Sequence, residues 1–86
     1  MKNEDLVTHP SHYQSTSGLE VRTVMEAFTE DLYGIFAVDT ANVIKYICRW
    51  SKKGTPILDL MKARDYIDHL ISKVEEKEKE KEKESK

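Results

Sequence analysis

Apolar positions recur at helical spacing in three stretches, and no stretch alternates for long enough to read as a strand. In the first, Ser17-Gly18-Leu19-Glu20 has the spacing of a capping box, with Ser17 as N-cap and Glu20 reaching back to it. Val21, Val24, Met25 and Phe28 follow on one face, which predicts a helix over roughly 19–33 with Gly34 as its stop. Ile35, Phe36 and Val38 then read as a short apolar bridge. Asp39 or Thr40 is placed to cap a second helix over 40–53. That helix holds Val43, Ile44, Ile47 and Trp50 on one side. Lys52 and Lys53 fall in its last turn, where cations suit the helix dipole, and Gly54 follows its end. Thr55-Pro56 suits the start of a third helix, with Thr as N-cap and Pro in the first helical position. Its stripe is the longest in the chain: Ile57, Leu60, Met61, Ala63, Ile67, Leu70, Ile71 and Val74, which predicts a helix over about 56–76.

The flanks carry no such pattern. Residues 1–16 are polar, contain Pro10 and read as an extended arm. From Glu75 to Lys86 glutamate and lysine nearly alternate, which puts like charges at i,i+4 and opposite charges at i,i+3. The two effects oppose each other at similar size. The third helix is therefore expected to fray soon after Val74 and to leave a solvated tail. The chain is thus read as an all-α protein with an arm (1–16), a helical domain (17–74) and a charged tail (75–86).

Length changes this picture in one respect. Eighty-six residues make one domain with a marginal core, and such chains usually need a disulfide, a metal or association. Cys48 is the only cysteine, so no disulfide can form within the chain, and a lone thiol fits a reducing compartment. A helical homo-oligomer is expected on that ground. The chain has no apolar run of membrane-spanning length and no apolar leader after Met1, so a cytoplasmic location is expected, with no membrane partner. A formal net charge of -2 argues against non-specific nucleic-acid binding, which needs an excess of cations.

Candidate chemistry concentrates on the second helix. Asn42, Lys45, Tyr46, Arg49 and Lys53 fall on one face, opposite Val43, Ile44 and Ile47. Arginine offers a fork for phosphate, lysine a point charge, and tyrosine a ring or a hydroxyl. The face suits an anionic ligand; the plain alternative is a solvated surface, against which the aromatic Tyr46 counts. His9-Pro10-Ser11-His12-Tyr13 is the second cluster. Its histidines lack the three or four spaced ligands of a zinc site, so no metal site is expected. Either Tyr13 docks the arm on the helices, or the arm folds over the basic face and its imidazoles contact phosphate. Arg64, at the edge of the third stripe, either lays its stem along apolar surface, meets an acid of another subunit, or lines a site between subunits. The phosphate loop G-x-x-x-x-G-K-[ST], the dinucleotide G-x-G-x-x-G and the G-x-S-x-G elbow are all absent. The acids of the first helix do not form the paired pattern of helical pyrophosphatases.

Four pieces in order carry a resemblance: Pro10-Ser11-His12-Tyr13; Gly18-Leu19-Glu20-Val21; Asn42-Val43-Ile44-Lys45-Tyr46-Ile47-Cys48-Arg49; and Asp59-Leu60-Met61-Lys62-Ala63 with Tyr66 and Leu70-Ile71. Over roughly residues 8–74 the chain resembles a family of small bacteriophage and prophage proteins of unknown function, sometimes termed SaV-like. A domain similar to it occurs in a phage nucleotide kinase that lacks a phosphate loop. Ala41, where a glycine often precedes the asparagine, and Val21-Arg22, in place of a more usual Ile-Asp, depart from the pattern. The resemblance implies a nucleotide or other phosphorylated small molecule as ligand. The candidate contacts are His9, His12, Tyr13, Asn42, Lys45, Tyr46, Arg49 and Lys53. The outcome is sequestration of a signalling nucleotide or, if the protein is an enzyme, nucleoside monophosphate kinase-like transfer with Mg²⁺ arriving on the nucleotide. The alternative is an interaction protein that inhibits a host protein.

Overall fold

The computed structural model describes residues 11–84. They form a single 3-10 turn, Ser11–Tyr13, followed by three α-helices: α1 Val21–Thr29, α2 Gly34–Arg49 and α3 Pro56–Glu84. The described residues contain no strand, only an isolated antiparallel bridge between Gln14 and Glu20. α2 packs along α3 as an antiparallel hairpin, α1 packs on α2, and the 3-10 turn also lies against α2. Among the described residues no helix is long and apolar enough to cross a membrane.

The all-α architecture matches the periodicity, and each helix boundary is instructive. The capping box does not form: the N-cap of α1 is Glu20, with no side-chain cap bond. Gly18 adopts φ +90°, which closes a turn on Ser15 and cannot belong to a helix begun at Ser17. Ser15 Oγ instead accepts from Leu19 N–H at 2.9 Å, and Glu20 accepts from Gln14 Nε2 at 2.7 Å. α1 is shorter than the expected 19–33. Its last residue, Thr29, turns its hydroxyl back onto the Met25 carbonyl at 2.6 Å, a local bond that competes with the helix ladder.

Gly34 does not stop α1; it opens α2 with φ +52°. The expected bridge 35–38 is the first turn of α2, and Asp39 and Thr40 lie within the helix rather than capping it. Asp39 resembles a cap by polarity, but its side chain is buried. α2 ends at Arg49, so Lys52 and Lys53 sit beyond it, in the turn that Gly54 (φ +91°) completes. Pro56 begins α3, as Thr55-Pro56 suggests, and Asp59 N–H bonds the Thr55 carbonyl at 3.0 Å.

α3 does not fray after Val74; it continues to Glu84. Glutamate and lysine are good helix formers, and extending an existing helix avoids the cost of nucleation. An i,i+3 pair such as Lys73–Glu76 (3.4 Å) adds a little at the surface. The burial pattern also differs from the stripes. Fully buried apolar residues among those described are Val21, Tyr46 and Ala63, whereas Ile47, Ile57, Ile67 and Ile71 are exposed. Tyr46 and Arg49, from the face read as ligand-facing, are turned inward and meet Tyr66 and Asp59 of α3.

Candidate functional site

Arg49, in the last turn of α2, meets Asp59, in the first turn of α3, across the connecting turn. Its Nη2 donates to Asp59 Oδ1 at 2.9 Å, and its Nη1 donates to the Tyr13 hydroxyl at 2.7 Å. Both charged side chains are almost wholly covered, with 4% and 1% exposed. The pair therefore joins three segments: the arm, α2 and α3. Its satisfaction is incomplete, since Arg49 Nε and Asp59 Oδ2 are buried with no partner among the described residues. The hydrogen bond from Arg49 holds the Asp59 carboxyl below its usual range, against the effect of burial.

Aromatic rings surround this pair. Tyr46 stacks on Tyr66 at 5.9 Å with an interplanar angle of 10°, and Tyr66 meets His69 edge-on. The Arg49 guanidinium lies 4.7 Å from the centre of the Tyr46 ring and 5.6 Å from that of Tyr13. Lys45 Nζ and Lys62 Nζ each lie 5.4 Å from the Tyr46 ring centre, and Lys45 also reaches Tyr13 at 5.8 Å. Such cation–π contacts hold an ammonium near a ring without neutralising it. Neither lysine forms an ion pair with a described residue, and both are half-buried. An open groove of about 620 Å³ runs from Tyr46 along α3, past Lys62, Tyr66 and Arg64, with Asp65 and Asp68 also lining it. That volume is in the range of small-molecule sites.

The candidates from the sequence divide accordingly. His9 lies outside the described residues. His12, Tyr13, Lys45 and Tyr46 come together, so the described end of the arm lies on the basic helix, through Tyr13. Arg49 is in the cluster, but its charge is already met by Asp59 and its surface is closed. Asn42 is half-buried and makes no side-chain hydrogen bond among the described residues. Lys53 is exposed, near enough to His12 to affect its charge. Three contributors, Asp59, Lys62 and Tyr66, carry the resemblance but are not among the ligand contacts expected from the sequence. All three belong to the D-L-x-K-A piece or its extension, and a ligand search confined to one helix face passes over them. No group of three or more His, Cys, Asp or Glu side chains converges to hold a metal among the described residues.

His12 packs on the Tyr13 ring at 4.2 Å. Burial, then the charges of Arg49, Lys53 and Lys45, lower its pKa from the ordinary 6.5, and Asp59 only partly opposes them. Below about 6.5 the unfolded chain takes up the proton first, so His12 removes stability as the pH falls through the interval down to its folded pKa. An NMR titration of the His12 ring should give a midpoint below that of an unfolded reference. A bound anion beside Lys45 should raise it.

Residues 7–68 match a family model described as a protein of unknown function, DUF3310. No curated protein and no solved structure matches the chain. The matched stretch contains the arm tyrosine, the whole of α2 and the first half of α3, and so Tyr13, Lys45, Tyr46, Arg49, Asp59, Lys62 and Tyr66, with His69 just beyond it. The chain is a member of the DUF3310 family.

Proposed function

We propose that the protein binds a nucleotide or a related phosphorylated small molecule at the lysine–tyrosine cluster. The observation that carries this reading is the placement of Lys45 and Lys62, each 5.4 Å from the same Tyr46 ring, beside an open groove. Two ammonium groups that form no ion pair with a described carboxylate suit the oxygens of a phosphate. Tyr66, stacked on Tyr46, offers a ring edge or face to a base. Asp65 and Asp68, farther along the groove, repel phosphate but accept hydrogen bonds from sugar hydroxyls or a base amino group. His12, Tyr13, Asn42 and Lys53 remain peripheral candidates, while Arg49 acts as the scaffold that sets Tyr13 and Tyr46 in place.

The resemblance to small phage proteins gives this binding two outcomes. One is sequestration of a signalling nucleotide. The other is kinase-like transfer without a phosphate loop, in which Mg²⁺ enters with the nucleotide. Docking on a host protein is the second reading, favoured by the exposure of Phe28 and Tyr33 at the α1–α2 end of the molecule.

Calorimetric titration against mono-, di-, tri- and cyclic nucleotides, with inorganic phosphate as reference, tests the first reading. At least one nucleotide should bind with Kd below about 1 mM, tighter than phosphate alone. Absence of any such nucleotide, or equal binding by a Lys45→Ala, Lys62→Ala variant, defeats it. A stoichiometric protein partner from host lysate, recovered without nucleotide, supports the second.

A further inference from the structure

α3 has more apolar surface than α2 can cover. The face turned to α2 carries Asp59, Ala63, Tyr66 and Leu70. A second face carries Ile57, Leu60, Ile67, Ile71 and Val74, whose exposures run from 70% at Ile57 to 37% at Leu60. With Arg64 included, these six positions are spaced three, four, three, four and three residues apart. That alternation is the seam of a two-stranded coiled coil, in which each side chain enters a hole on a facing helix. The next positions in the series are Glu78 and Lys81, so the apolar seam has a defined end at Val74.

We propose that a second copy of the chain covers this face, with the two α3 helices antiparallel about a two-fold axis between Asp65 and Tyr66. In that register Ile57 faces Val74 of the second copy, Leu60 faces Ile71, and Arg64 faces Ile67. Each pair recurs by symmetry, so all six positions are matched and none is left over. Such self-complementarity is what a two-fold interface requires.

Charge selects the direction. Parallel helices would set Arg64 against Arg64 in one layer of the seam. The antiparallel register separates the two guanidiniums and brings each beside Asp68, the neighbour of Ile67 on the other copy. Neither Arg64 nor Asp68 forms an ion pair within the chain among the described residues. Beyond the seam, the same register carries Glu75 and Glu78 toward the Lys52–Lys53 turn of the second copy. The need for a partner is physical: only Val21, Tyr46 and Ala63 are fully buried apolar residues among those described, and no disulfide can supplement them. Met61, Arg64 and Asp68 also line the ligand groove, so the groove opens along the margin of this interface.

The test uses the full chain and does not depend on any ligand. Sedimentation equilibrium should give a dimer for the native sequence and a monomer for Ile67→Asp, with Ile71→Lys as a second variant. Both substitutions are at exposed positions, so circular dichroism should show the helical content of each protomer retained. Direction is read by oxidative cross-linking in a Cys48→Ser background. An equal mixture of Leu60→Cys and Ile71→Cys chains should form the mixed disulfide dimer, while neither variant alone cross-links efficiently. A monomeric native chain, a dimer that survives both seam substitutions, or efficient self-cross-linking of Leu60→Cys overturns the proposal.

Discussion

Asp59→Asn should lower the melting temperature by about 10 °C or more, a large shift for a chain of this size. The substitution keeps the shape of the side chain and removes its charge. Arg49 is then left covered and without a carboxylate, since Asp59 is its ion-pair partner among the described residues. Removing one member of a buried pair costs far more than removing both, because the survivor keeps its desolvation penalty. A double variant, Arg49→Met with Asp59→Leu, should therefore melt above the single one. The unpartnered Arg49 Nε and Asp59 Oδ2 reinforce this expectation, as the pair begins incompletely satisfied. One factor limits the effect: the described molecule measures 61 × 27 × 19 Å, so the pair lies under a thin layer and water still screens it. Thermal melts followed by circular dichroism compare the three proteins. If the double variant is no more stable than Asp59→Asn, the ion pair is not the origin of the loss.

The same carboxylate gives an acid limb to stability. Its folded pKa lies below its ordinary value because Arg49 donates to the charged form. The stabilisation is therefore present above the unfolded carboxyl pKa and is lost as the pH falls toward the folded one. Asp59→Asn should remove that limb, leaving the His12 effect nearer neutrality.

Lys45→Ala with Lys62→Ala should weaken nucleotide binding by about 100-fold while leaving the fold intact. A hydrogen bond to a charged group contributes roughly 1.5–3 kcal/mol, so loss of two reaches or exceeds that factor. Both lysines reach the cluster from the margins of α2 and α3 and pair with no described carboxylate, so their removal strands no buried charge. The expected melting temperature stays within a few degrees of the native value. Arg49→Lys separates the two roles. It keeps the charge but loses the fork that spans Tyr13 and Asp59, and should reduce stability before it reduces intrinsic affinity. Titrations at two salt concentrations, with melts on the same samples, distinguish a ligand contact from a scaffold. Equal loss of affinity in both variants, each with native stability, would place Arg49 on the ligand instead.

Local signals in the sequence determined a good deal: the all-α class, the Pro56 start of α3, and the grouping of Lys45 and Tyr46. These depend on backbone chemistry or on the 3.6-residue period, both of which act within a few residues. The joining of Tyr13, Arg49 and Asp59 was decided by tertiary structure, because it depends on how the arm and two helices meet across 36 and 10 residues of sequence. The same contact closes the surface of Arg49, and Tyr46, whose ring lies against the guanidinium, is buried with it. Periodicity identifies the faces of a helix but not which face will be covered. On α2 the polar face was covered, since Arg49 found a carboxylate on α3. On α3 the apolar stripe was divided, with Ala63 and Leu70 turned to α2 and the isoleucines left for another surface.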